Sequence, residues 1–111
     1  MTLNKAQKEQ ILNLLENCKQ KEYKTSNAII ENAVNEWKEN KKTDKEAYNK
    51  IYKKVIKNEH HLVNRYADLN DEKCIRTLAE VFSDDIVNIL DFEELDADIR
   101  KEVLKITGIK K

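Results

Sequence analysis

Over 111 residues the chain contains no proline and only one glycine, Gly108. That scarcity constrains the fold more than any motif does. Sandwiches and barrels change direction every ten or so residues and rely on turn-forming residues to do it. A chain without them is expected to be all-α, here a small antiparallel bundle of four to five helices with short connections. The length matches the commonest size of one domain and buries roughly two-thirds of the unfolded surface, with no room for a second catalytic domain. With no repeat, low-complexity segment or linker in view, residues 1–111 read as a single helical domain. Apolar residues are 40% and charged residues 38%, which excludes collagenous, disulfide-rich, Pro-rich and transmembrane classes.

Apolar positions recur at helical spacing along most of the chain. Ile11, Leu14, Leu15 and Cys18 form one stripe, predicting a helix over about residues 3–21. Tyr23 to Ser26 is expected to be a connection, with Thr25 or Ser26 as N-cap. Ile30, Ala33, Val34 and Trp37 predict a second helix over about 27–40, closed by Glu39, Asn40, Lys41 and Lys42. Thr43-Asp44-Lys45-Glu46 is a capping box, with Thr43 as N-cap and Glu46 at N3. The helix it opens is expected to reach about Ala67 on a core stripe of Tyr48, Ile51, Tyr52, Val55, Ile56, Leu62, Val63 and Tyr66. Asn70, followed by Asp71 and Glu72, starts another, with Cys74, Ile75, Leu78 and Phe82 inward. Ser83-Asp84-Asp85 reads as a new cap or a polar turn, and Asp91 to Leu95 as a break. Asp96 caps a last helix bearing Ile99, Val103 and Ile106. Gly108 stops it, with Ile109 expected to fold back as the apolar contact of a Schellman motif.

Lys plus Arg and Asp plus Glu both total 21. A net charge of zero argues against a dedicated nucleic-acid binder. The charge is nevertheless unevenly spread. Residues 1–63 hold 13 basic and 9 acidic residues, and residues 64–111 hold 8 and 12. Eighteen of the cations are Lys and three are Arg, beside 12 Asn, a usage that also follows from an AT-rich genome. The first ten residues lack an apolar run, so no signal peptide is expected, and a cytoplasmic protein with free thiols at Cys18 and Cys74 is.

Glu59 is the most singular candidate. On a helical wheel Tyr52, Tyr66, Val55 and Val63 all lie within about 40° of it, which points its carboxylate along the expected core stripe. A buried carboxylate must be paired, protonated or beside a cavity. The functional reading is an acid–base group, a metal ligand or a recognition charge. The plain reading is a pair with Arg65, Arg76 or a Tyr hydroxyl, or a helix that projects beyond the bundle. His60 and His61 follow, but adjacent helical residues point about 100° apart and do not share an ion easily. No His-x-x-x-His or Glu-x-x-His spacing occurs, so no metal and no cofactor are expected. Cys18 and Cys74 sit on apolar stripes and read as small buried hydrophobes.

Two charged stretches remain. Lys42, Lys50, Lys53, Lys54 and Lys57 form a basic face that suits phosphate, or simply a solvated helix side. Asp84, Asp85, Asp91, Glu93 and Glu94 form an acidic stretch, continued by Asp96 and Asp98, with Phe92 as an aromatic anchor for a partner. Capping and solubility explain several of these acids equally well. With no phosphate loop, nucleophile elbow or zinc signature, an enzyme is disfavoured. The expectation is a non-catalytic protein–protein interaction module of the immunity-, inhibitor- or adaptor-like sort, with no membrane role, acting as a monomer or weak homo-oligomer. The alternative is nucleic-acid binding through the lysine face.

Overall fold

The computed structural model describes residues 1–108. The fold is all-α, with five helices and no strand among the described residues: α1 (Lys5–Lys38), α2 (Asp44–Tyr66), α3 (Asp71–Ser83), α4 (Ile89–Glu93) and α5 (Ala97–Thr107). The chain forms two compact units. One takes Met1–Gln20 and the chain from Tyr66 onward, and the other is Lys21–Arg65.

With its single glycine at the end of α5, the chain turns elsewhere on short polar side chains. Asn40, Asp68 and Asp85 all adopt left-handed backbone, with φ of 61°, 53° and 57°. Asn and Asp tolerate this region better than other L-residues because their side chains hydrogen-bond locally. At Asn40 the result is a Schellman ending for α1: Lys41 N–H donates to Glu36 C=O and Asn40 N–H to Trp37 C=O, both at 3.0 Å. At Asp85 it is the same ending for α3, with Ile86 N–H on Val81 C=O and Asp85 N–H on Phe82 C=O. Gly108, at φ 71°, closes α5 through its N–H to Leu104 C=O. The expected fold-back of Ile109 lies outside the described residues.

Predicted helix starts hold at three places. Thr43 N–H donates to Glu46 Oε1 at 3.1 Å, and Glu46 N–H to Thr43 Oγ1 at 3.2 Å, a reciprocal capping box. These bonds hold the Glu46 carboxyl below its ordinary range. Asn70 Oδ1 accepts from Lys73 N–H, and Asp96 Oδ1 from Asp98 N–H.

The connection expected at Tyr23–Ser26 is absent, and α1 runs through it as one 34-residue helix. Thr25 does not cap. Its hydroxyl donates to Lys21 C=O one turn back, a bond available inside a helix. Nothing there breaks the helix, since Tyr, Thr and Ser each lose only a fraction of a kcal/mol against Ala, roughly 0.7 at most. The break expected at Asp91–Leu95 holds only at its end: Glu94 and Leu95 lie outside helix, while Asp91, Phe92 and Glu93 belong to α4. The polar turn expected at Ser83–Asp85 is present at Asp84–Asp85, the chain stays out of helix to Asn88, and Asn88 rather than Ser83 caps α4 through its side chain.

The first unit holds the core. Ile11, Leu14, Leu15 and Cys18 of α1 meet Cys74, Ile75, Leu78 and Val81 of α3, Phe92 and Leu95 around α4, and Ile99 and Val103 of α5. Phe82 and Phe92 stack with ring centroids 4.4 Å apart. The N-terminus is tied down by Asp71, whose carboxylate accepts from Leu3 N–H at 3.1 Å and pairs with Lys8 at 3.3 Å. The Leu3 hydrogen bond first, and Lys8 second, hold the Asp71 carboxyl below its usual range. A depressed folded value means this tie is fully present above the unfolded carboxyl range and is lost as pH falls through the folded value. Leu3 amide protection, taken against the intrinsic exchange rate at each pH, is therefore expected to fall on acidification below about pH 4. In Asp71→Ala, which removes the acceptor, this protection should be low already at neutral pH.

The second unit is an antiparallel hairpin of the C-terminal part of α1 and α2. Trp37 Nε1 donates to Asp44 Oδ1 at 2.7 Å near the turn, Lys50 Nζ to Glu36 Oε2 at 2.7 Å, and Arg65 Nη1 to Glu22 Oε1 at 3.0 Å at the far end. Only Ala33, Ala47, Leu62 and Arg65 are buried in it. Of the expected α2 core stripe, Leu62 is buried and Ile51 and Tyr66 are half-buried, but the rest is corrected here: Tyr48, Tyr52, Val55, Ile56 and Val63 are all exposed. The helix buries instead a side rotated by roughly 110°, the side that bears Ala47 and Arg65.

Candidate interaction surfaces

Phe92, expected as an exposed anchor, is 0% exposed. Its sequence neighbours supply the exposed apolar surface in its place. Ile89 is 48% and Leu90 64% exposed on α4, because five residues of helix bury only the Phe92 side. Around them Asp85, Glu93 and Glu94 are exposed and Asp91 is half-buried. Several acids also have local work. Asp84 is the C-cap of α3, Asp85 takes its left-handed turn, and Asp91 lies in the first turn of α4, where a carboxylate suits the helix dipole.

Beside α4 runs an open groove of about 250 Å³, lined by Gln10, Asn13 and Asn17 of α1 and by Asp91 and Glu94, over Leu14 and Leu95. Gln10 is held in place by two bonds, accepting from Asp96 N–H at 3.0 Å and donating to Glu94 C=O at 3.4 Å. A row of carboxamides and carboxylates over an apolar floor presents acceptors to a cationic or main-chain donor. Sequence reasoning missed Gln10, Asn13 and Asn17, whose only signal was the carboxamide content of the polar side of α1. Among the described residues the first unit carries 8 basic and 14 acidic residues, and the second unit 11 and 7.

Glu59 is exposed, which rules out the buried polar group and agrees with the plain reading of a solvated position on a projecting helix. The proposed pairs are also corrected. Arg65 pairs with Glu22, and Arg76 reaches Glu72 at 3.5 Å. His61 Nε2 lies 2.9 Å from the same Glu22 Oε1, while His60 is exposed. No group of three or more His, Cys, Asp or Glu gathers as a metal site among the described residues. Cys18 and Cys74 are buried free thiols. Cys74 donates to Leu69 C=O at 3.6 Å, and burial pushes its thiol up, away from the reactive thiolate.

Of the basic face, Lys50 is engaged with Glu36, and that hydrogen bond and charge hold the Glu36 carboxyl low. Lys53 and Lys57 are exposed, Lys54 is half-buried, and Lys42 is exposed in the loop. Lys50, Lys53, Lys54 and Lys57 share an arc of about 100° on α2, on the far side from Tyr48 and Tyr52. No aromatic interleaves with them. No helix among the described residues is long and apolar enough to cross a membrane. No protein-family model, curated protein or solved structure matches the chain.

Proposed function

We propose that this chain is a non-catalytic, immunity-, inhibitor- or adaptor-like accessory that works in the cytoplasm by binding another protein. The partner presents a basic, partly apolar surface to α4. The observation that supports this most is the exposure of Ile89 and Leu90 on a helix that also carries the exposed Glu93 and ends at the exposed Glu94. Full burial of such a side chain is worth about 1.5–3 kcal/mol, which gives the contact an apolar centre. The surrounding acids steer a cationic partner and set register more than they add affinity. Gln10, Asn13 and Asn17 extend the same surface as hydrogen-bonding groups. Against catalysis stand a solvated Glu59 and a Cys74 thiol kept protonated by burial.

Affinity capture of the tagged chain from its host lysate, with and without nuclease, tests this reading. A protein partner that survives nuclease is expected. Nucleic acid in the eluate, removed by nuclease and by salt, would instead favour the basic arc of Lys53, Lys54 and Lys57, where binding falls steeply with salt.

A further inference from the structure

The hairpin of the second unit leaves a second, unrelated apolar face. On α2 the positions Lys45, Tyr48, Tyr52, Val55 and Glu59 follow the alternating three- and four-residue spacing of a heptad seam. On α1, Tyr23, Ile30, Val34 and Trp37 keep the same spacing. Each of these stripes lies about 60–110° round its helix from the side that meets the other helix, in the same rotational sense. Because the two helices are antiparallel, equal rotations from their contact line lead to one side of the hairpin. Both seams therefore share a face.

That face is large. Tyr48, Tyr52 and Trp37 are 72%, 59% and 41% exposed. At roughly 150–250 Å² per aromatic side chain, these three alone leave about 350 Å² in solvent. Val55, Ile56, Val63 and Tyr23, each more than a third exposed, extend the patch. It passes the few hundred Å² typical of monomers and approaches the roughly 800 Å² that each partner gives to a stable interface.

We infer that a second copy of this chain covers the face, so that two hairpins close a four-helix bundle about a two-fold axis near Tyr52. The charge pattern selects a copy over a foreign partner. Lys45 and Glu59 mark the two ends of the α2 seam and are exposed, and neither side chain has a hydrogen bond or ion pair among the described residues. They lie symmetrically about Tyr52, about 21 Å apart along the helix. An antiparallel copy turned about Tyr52 brings each Lys45 to the other copy's Glu59, so the contact holds two such pairs and every one of these charges meets its opposite. A partner of a single sign meets only one of them. The lysines at 50, 53, 54 and 57 lie on the opposite side of α2, so the basic excess of the unit stays out of the contact. Such a contact is isologous, as most homodimer contacts are.

Sedimentation of the full chain at low and high salt tests this, with helix content followed by circular dichroism. The expected result is a dimer that persists in high salt. Lys45→Glu and Glu59→Lys should each weaken it about tenfold by placing like charges together, and the double variant should restore it. Monomer at every concentration would overturn the proposal. So would association that disappears in salt and depends on Leu90 and Lys53, since that is a head-to-tail contact between acidic and basic patches. Association indifferent to both charge reversals would overturn it as well.

Discussion

Phe92→Ala is expected to lower the stability of the chain by about 3–5 kcal/mol, a large share of the 5–15 kcal/mol typical of a domain. The ring is fully buried, stacks on Phe82 and sits among side chains of α1, α3 and α5. Removing it takes away the apolar contact and leaves a cavity that a packed interior only partly fills. Urea unfolding followed by circular dichroism measures the loss. Leu90→Ser, two residues away and largely exposed, should change stability by less than about 0.5 kcal/mol. If Phe92→Ala were as mild as Leu90→Ser, the aromatic would be the surface anchor that its acidic sequence context implies.

The second large effect belongs to the hairpin. Glu22 and Arg65 lie 43 positions apart and meet at 3.0 Å, with side chains only 13% and 8% exposed. Glu22→Ala leaves the guanidinium without its nearest counter-charge in a half-dry setting and should cost on the order of 3 kcal/mol. Arg65→Ala should cost a similar amount. Replacing both by Met should recover most of it, because an apolar pair of similar volume avoids both desolvation penalties. A double-mutant cycle read by hydrogen exchange within Lys21–Arg65 isolates the coupling. Additive single effects would mean that the two groups do not act as a pair. The cost bears mainly on the second unit, which has just Ala33, Ala47 and Leu62 as buried apolar residues to offset it.

Local rules made the capped starts legible. Thr43 with Glu46, Asn70 and Asp96 each announce a helix through a side chain that accepts a backbone N–H within three residues, so no distant contact is needed to place them. The first unit's core was legible for a related reason: the stripes Ile11–Cys18, Cys74–Leu78 and Ile99–Val103 are buried as their periodicity implies. Tyr23–Ser26 was not, because a Ser or Thr hydroxyl serves a cap and a helix-interior back-bond equally well. Phe92 was not, because α4 is too short to show a helical phase. The α2 seam failed for a deeper reason. Periodicity reports that one side of a helix is apolar, and it is silent on what covers that side. Glu59 was placed correctly among Tyr52, Val55 and Val63, yet all four are exposed. The Glu22–Arg65 pair had no local signal at all. The same limit hid Ile89 and Leu90, whose exposure depends on which residue of α4 the core admits.

The acidic surface around α4 is tested most directly by titrating the captured protein partner against paired surface variants. Ile89→Lys with Leu90→Lys should abolish binding, and Asp91→Lys with Glu93→Lys and Glu94→Lys should weaken it strongly. Lys53→Glu with Lys57→Glu should leave it within a few-fold of the wild type. Binding that survives the α4 substitutions and is lost with the lysines would contradict the proposed surface.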